Sequence, residues 1–444
     1  MKKTFRIGGV HPHDNKISAE AAIEIFPAIE TAYVSMAQHL GAPATPVVAV
    51  GDKVKVGQVI AEPAGFISGF VHSPVSGTVK SVAPRADIAG NLVPHVEITV
   101  EGDEWLEGID TSDTVVKEIP YTPEEIIDKV KKAGVVGLGG ASFPTHVKLA
   151  PPKDKKAECL ILNGTECEPY LTSDDRIMRE RPQEILIGGA IMMKALGVTR
   201  GYVGIEENKP AAIASMTAAA KDFPQIEVVT LKKRYPQGGE KQLIDAVIRR
   251  QVPSGGLPIE TGAVVQNVGT SLAVYEAVQK NKPLIDNVIT VTGSCLPVQH
   301  NYKVRIGTPM SKILEVAGGL PEKAAKVISG GPMMGRAIAN LDAATVKANG
   351  AILVLTEAET RRRPESPCIR CSKCASACPM GLEPWLLNKL GRAGLHAELE
   401  QERVYDCIEC GCCSFTCPAG IPLLDVIRIS KAEVMKIMRS RPKK

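Results

Sequence analysis

The stretch GVVGLGGASFPTHVK, Gly134 to Lys148, decides how the middle of the chain is read. Glycines stand at 134, 137, 139 and 140, Phe-Pro-Thr follows, and a lysine closes it. Backbone this bare of side chains lets a large ligand come close. The spacing is not the dinucleotide fingerprint G-x-G-x-x-G, and the stretch follows a helical pattern, TPEEIIDKVKKAG, not a strand. On the glycines alone, a tight turn and a nucleotide loop both stay open. Two neighbours favour a ligand. Lys148 is close enough to meet a phosphate. LNGTECEPYLTSDDR sets Asn163, Glu166 and Glu168 just past the expected strand ECLILNG, where α/β folds bind ligands.

Outward from this stretch, residues 120–280 alternate helical and strand patterns. RPQEILIGGAIMMKALG and KPAAIASMTAAAKDFP read as helices, RGYVGIEEN and IEVVTLKK as strands. Repeated units of this kind build a parallel sheet. Upstream, residues 45–101 give short β runs between Gly, Asp and Pro turns. VGDKVKVGQVI and HSPVSGTVKSV resemble the two halves of the biotinyl/lipoyl barrel-sandwich family. Those carriers attach their cofactor to a lysine between the halves, and Ala61 to Phe70 holds none. The resemblance implies the fold without the carrier function. Downstream, NVITVTGSC, TPMSKILEVAGGLP and KVISGGPMMG suit a small β-grasp module, and RRRPESP reads as a linker. The expected fold class is multidomain α/β. A barrel-sandwich unit occupies 1–115, a Rossmann-like domain 116–282, a β-grasp module 283–350, and an α-helical cysteine-rich domain 351–444.

Composition narrows the function. A net charge of +4 over 444 residues is too small and scattered to argue for nucleic acid. No apolar run reaches the ~18 residues of a membrane span. MKKTFRIGGVHPHDN lacks the apolar core of a secretion signal, so the expected place is the cytoplasm. Nine of twelve cysteines lie between Cys368 and Cys417, which in a cytoplasmic chain points to metal ligation over disulfides.

Those cysteines carry the strongest signal. Cys368-x2-Cys371-x2-Cys374-x3-Cys378-Pro is followed by Cys407-x2-Cys410-x2-Cys413-x3-Cys417-Pro. Each is the bacterial ferredoxin run for a [4Fe–4S] cluster, whose fourth cysteine serves the other cluster. One cluster is therefore assigned to Cys368, Cys371, Cys374 and Cys417, and the other to Cys407, Cys410, Cys413 and Cys378. A zinc ribbon would show two pairs of cysteines, not two runs of four. Cys412 is left over and reads as a packed thiol. Arg361, Arg362, Arg363 and Arg370 are candidates to offset cluster charge, or a solvated linker. The basic tail SKAEVMKIMRSRPKK reads as solvated, with anionic lipid or a partner as the other option.

GLGGASFPTHVK resembles the flavin loop of the NADH-binding subunits of respiratory complex I. NGTECEPYLTSDDR, YPQGGEKQLIDAVIRRQVPS and VVQNVGTSLAV match that family's later motifs in order. The chain as a whole is more similar to the C-type subunits of Rnf complexes, which are membrane-bound, ion-pumping NADH:ferredoxin oxidoreductases. The resemblance rests on the leader GGVHPHDNK, the barrel-sandwich piece and the two cysteine runs. It implies an NADH dehydrogenase-type oxidoreductase subunit. FMN would be held by Gly137, Gly139, Gly140, Lys148, Asn163, Gly239, Glu240, Asn267 and Thr270. NADH would face Gly140, Phe143, Glu166 and Glu168. Ser142, Thr165 and Cys167 replace a Gly, an Asp and a Gly of the complex I pattern. Hydride would pass from NADH to FMN, and single electrons through two [4Fe–4S] clusters to partner subunits, including an iron–sulfur B-type subunit. Ferredoxin would be an indirect partner, and the location peripheral, on the cytoplasmic side of the cell membrane. Two rival readings are a soluble flavin and iron–sulfur reductase, such as a cobalamin reductase, and a relay scaffold without catalysis.

Overall fold

Thr122 starts the flavin-type unit by a reciprocal cap. Its side chain accepts from Glu125 N, the Glu125 carboxylate accepts from Thr122 N, and Pro123 opens the helix Pro123–Lys132. The computed structural model describes residues 2–152 and 154–441. Four parallel strands follow the helix, in the sheet order Ile226–Leu231, Gly201–Glu206, Cys159–Asn163, Ala263–Asn267. Their apolar runs are buried on both faces, as a covered parallel sheet requires. One face packs Ile126, Leu186, Met192, Ala212 and Val274, contributed by four helices. The other packs Leu243, Ile244 and Val247 of the helix Glu240–Ile248. The first three strands add outward on one side. The fourth returns beside the first. Between Cys159–Asn163 and Ala263–Asn267 the strand order therefore reverses, and such a reversal opens a crevice beyond the strand C-termini.

The barrel-sandwich unit comprises a four-stranded sheet, ordered Thr31–Ser35, Leu92–Val100, Gly77–Ala86, Lys53–Val54, and a three-stranded sheet of Thr45–Pro46, Val59–Glu62 and Val71–His72. Val34, Ile60, Val79 and Ile98 fill its core. A six-stranded sheet forms the β-grasp region. Its order is Ile23–Ile25, His300–Arg305, Asp286–Thr292, Ala351–Thr356, Ala324–Ser329, Arg336–Ala337.

Two boundaries shift against the sequence expectation. Ala351–Thr356 pairs with Asp286–Thr292 on one side and Ala324–Ser329 on the other, so the β-grasp sheet runs past 350. The leader does not belong to the barrel-sandwich unit alone. Lys3 bridges to Leu231, Val10 to Tyr235, and Ile23–Ile25 forms the outer strand beside His300–Arg305. The last region is helical. Pro384–Arg392, His396–Gln401 and Leu423–Ser440 pack Leu387, Leu399, Ile427 and Val434 around the cysteine loops.

Candidate functional site

The glycine stretch folds back on itself. Val136 pairs with Pro144, and Gly137 N donates to Phe143 O at 2.9 Å. The loop lies over the end of the strand Ala263–Asn267. A side chain at Gly139 would meet Asn267 at 2.9 Å, whereas one at Gly140 would stand in open space. The first glycine thus permits close packing, and the second leaves room above the crevice. Leu138 N donates to the buried Thr270 hydroxyl at 3.0 Å, which ties the loop to the helix Val268–Gln279.

Asn163 and Asn267 sit in register at the C-termini of two neighbouring strands, Cys159–Asn163 and the edge strand Ala263–Asn267. Asn267 Oδ1 accepts from Gly269 N at 2.7 Å and caps the helix, while its Nδ2 donates to Asp174 at 2.7 Å. Asn163 Nδ2 donates to Gly238 O at 2.9 Å, and its Oδ1 accepts from the Thr165 hydroxyl at 2.7 Å. Gly239 precedes the helix Glu240–Ile248 and gives it no side-chain cap. The first amides of that helix therefore keep free donors, suited to an anion such as a phosphate. Lys148 Nζ reaches Glu240 Oε1 at 2.8 Å and Val265 O at 3.1 Å. The side chains expected to grip a cofactor thus brace a backbone cradle. The bare glycines, the uncapped helix and Lys148 are what fits the phosphate and ring system of FMN.

Glu166 and Glu168 diverge. The Glu166 carboxylate accepts from Asp174 N at 2.7 Å and Asp175 N at 3.3 Å, at the start of the helix Ser173–Glu180. Burial and that neighbouring carboxylate push Asp174 up to about 7. Glu168 turns away from the glycine loop. It accepts from Met333 N at 3.1 Å and Met334 N at 2.8 Å, and burial raises its pKa. Both carboxylates are thus committed to protein partners. Gly140 and Phe143 stay at the mouth of the crevice.

The second thiol group sits close by. Cys378, Cys407, Cys410 and Cys413 line one small cavity with Leu387, Leu424 and Ile427. Cys378 comes from the first run and the other three from the second, which is the crossed grouping that the spacing calls for. Burial pushes Cys407 up to about 11 and Cys413 to about 12. A bound iron would replace those protons. Among the described residues, no three His, Cys, Asp or Glu side chains converge on a single metal ion. The four thiols, together with Cys412, line the small cavity instead. Cys374 lies near Cys417, again across the two runs, and Cys368 and Cys371 are exposed. Cys412 is fully buried and lines the same cavity, as a fifth thiol beyond the crossed set of four.

Tyr235 joins the crevice to this cavity, and sequence reading missed it. It is 2% exposed, and its hydroxyl donates to Cys410 O at 2.8 Å. Cys167 packs with it, and Gly238 N donates to the Cys167 sulfur at 3.3 Å. Gln242 Nε2 donates to Pro379 O at 3.2 Å. The aromatic in YPQGGE, just before the Gly-Glu turn, was the available signal.

Similarity to known proteins follows the same division. Residues 3–104 match the RnfC barrel sandwich hybrid domain, 130–276 the Nuo51 FMN-binding domain, 288–337 the SLBB domain, and 361–429 a 4Fe-4S dicluster domain. The proton-translocating ferredoxin:NAD(+) oxidoreductase complex of Clostridium ljungdahlii has a C-type subunit that is 46% identical over 90% of this chain and 87% of its own. The Na(+)-translocating counterpart from Acetobacterium woodii is 41% identical over 97% of both chains. In the ion-translocating oxidoreductase complex of Rhodobacter capsulatus, the C-type subunit is 41% identical over 87% of this chain and 75% of its own. Among solved structures, an NAD+-reducing [NiFe]-hydrogenase in the H2-reduced state aligns with a TM-score of 0.49 at 19% identity, over 73% of this chain and 67% of that one.

Proposed function

Because the chain belongs to the family of C-type subunits of ion-translocating ferredoxin:NAD(+) oxidoreductase complexes, we propose that it is the NADH-oxidising, electron-input subunit of such a complex. It is an oxidoreductase component with an FMN-binding domain and a 4Fe-4S dicluster domain. When bound, FMN supplies the conversion between hydride and single electrons, and each [4Fe–4S] cluster a one-electron store. The chain's own residues supply place and order.

The observation that carries this reading is the contact, through Tyr235, between the crevice and the buried thiol cavity. Gly137, Gly139, Gly140, Gly239 and Lys148 would hold FMN. NADH would approach over Gly140 and Phe143. Glu166 holds the crevice loop, and Glu168 holds that loop to the β-grasp region. Cys378, Cys407, Cys410 and Cys413 would bind the entry cluster, because they adjoin the flavin-type unit. Cys368, Cys371, Cys374 and Cys417 would bind the exit cluster, because two of them open to the surface. An iron–sulfur B-type subunit is the proposed acceptor, with ferredoxin reached beyond it. Among the described residues no helix is long and apolar enough to cross a membrane. The proposed place is peripheral on the membrane-bound complex, on the cytoplasmic side, where NADH is the reductant.

Protein purified without oxygen should hold about eight irons and one FMN. Mixed with NADH, it should bleach at flavin and cluster wavelengths. Full cofactor content without bleaching would overturn the proposal.

A further inference from the structure

The leader segment Gly8–Lys16, GGVHPHDNK, has no part in the chemistry above, yet it touches both sites. Gly8 has φ +69°, and a side chain there would collide with the Cys378 carbonyl. Gly9 N donates to Ala377 O at 2.8 Å. These contacts lie on the loop that carries a thiol of the buried cavity. Val10 then exchanges two bonds with Tyr235, Val10 N to Tyr235 O at 2.8 Å and Tyr235 N to Val10 O at 2.9 Å. Farther along, Asp14 pairs with Lys233 at 2.5 Å, and its carbonyl accepts from Tyr170 N at 2.9 Å.

The segment ends inside the crevice loop. Lys16 Nζ donates to Glu166 O at 2.9 Å, Glu168 O at 2.8 Å and Leu171 O at 2.6 Å. An ammonium has three protons, and all three find a carbonyl. Burial, with Lys209 adding to it, pulls Lys16 down to about 8, so the charge is costly to keep there and the three acceptors offset that cost. Lys209 reinforces the loop by donating to Thr165 O at 2.7 Å. Glu166 and Tyr170 take left-handed φ values of +45° and +70° in this loop, a conformation that its surroundings must enforce.

We propose that Gly8–Lys16 is a strap that sets the gap between the flavin crevice and the buried cluster, with Gly8 and Lys16 as positioning residues for electron transfer across it. The proposal rests on the function proposed above. Electron tunnelling weakens exponentially with distance, so widening the gap between the flavin and the cluster slows transfer across it. One short segment anchored at both ends of the gap removes the slack between two units that otherwise meet through side chains.

The test uses full-length protein loaded with FMN and iron, and Gly8→Ala, whose added methyl group wedges the Cys378 end. Iron and FMN content should match the unsubstituted protein, and NADH should bleach the flavin at an unchanged rate. Cluster bleaching should slow severalfold. Lys16→Met frees the other end. It should slow the same phase and raise amide hydrogen exchange across 165–171, while exchange at 126–132 stays unchanged. Lys16→Arg, which keeps the charge and the donors, should restore much of both. If Gly8→Ala fails to accumulate, Lys16→Met alone decides. Cluster bleaching within about twofold of the unsubstituted rate in a fully loaded variant would overturn the strap. Reducing the flavin by light and EDTA bypasses NADH. If light drives the cluster phase where NADH does not, the function proposed above falls and the strap is still measured.

Discussion

The two cysteine runs share one spacing and meet opposite surroundings. Cys410 is buried beside Tyr235 and Cys413 among Leu387, Leu423 and Ile427, while Cys368 and Cys371 lie at the surface with Ile369 67% exposed between them. Spacing is a local property. It decides that thiolates can wrap a cubane. It does not decide which cubane receives electrons and which delivers them. That difference comes from the neighbours, namely the strap and Tyr235 on one side and solvent on the other.

The sharpest way to break the comparison is to remove one thiol from each group. Cys410→Ala and Cys371→Ala should each lose about half of the iron. NADH should still reduce the remaining cluster in Cys371→Ala and should fail to do so in Cys410→Ala. Equal behaviour, read by electron paramagnetic resonance after anaerobic NADH addition, would erase the proposed order. Next in size is Tyr235→Ala. It empties a filled site between the two units and should cost about 3–5 kcal/mol of stability, read by denaturant unfolding. Tyr235→Phe keeps the volume and loses the hydroxyl's bond to Cys410 O and its longer contact to Glu168 Oε1, about 1 kcal/mol.

At the exposed site the expected effects are smaller and concern a partner. Arg370→Glu should slow electron delivery to an acidic acceptor by up to about tenfold, more at low salt than at high. Flavin and cluster bleaching by NADH should not change. The smallest effect belongs to Glu168, on the buried side. Burial raises its folded pKa above the ordinary carboxylate value. The folded state then binds the proton more tightly than the unfolded state. The contribution of this group to stability is full below about pH 4.5 and is lost as pH rises through the raised value. Glu168→Gln cannot titrate and should remove that slope, while it keeps an acceptor for only one of Met333 N and Met334 N, a loss on the order of 1 kcal/mol. Thermal midpoints across the acidic range would check it.

Much of this was legible in the sequence, for physical reasons. Cysteine spacing, the Thr122 cap and the apolar parallel strands are set by residues close in the chain. The glycine stretch was legible as a bare loop, and the structure adds that Asn267 and Thr270 brace it from behind, while Asn163 holds the Gly238 turn. What escaped depends on distant partners. Ala351–Thr356 falls in the stretch expected to belong to the helical domain, and its place at the middle of the β-grasp sheet is set by distant strands and has no local signature. Lys16 looks like any surface lysine until three carbonyls from 166–171 surround it. Glu166 and Glu168 share one motif and bind different elements, since Glu166 caps a helix and Glu168 holds Met333 and Met334.

The outer strand Ile23–Ile25 carries one more consequence. Ile23 pairs with Asn301, so 278 positions separate the partners. At ~5–20 residues per second of synthesis, the early strand waits roughly 14 to 56 seconds for its neighbour to emerge. Throughout that interval its edge is open to wrong pairings. Final closure of this sheet therefore comes late in biogenesis, and a chain interrupted before Asn301 can never complete it.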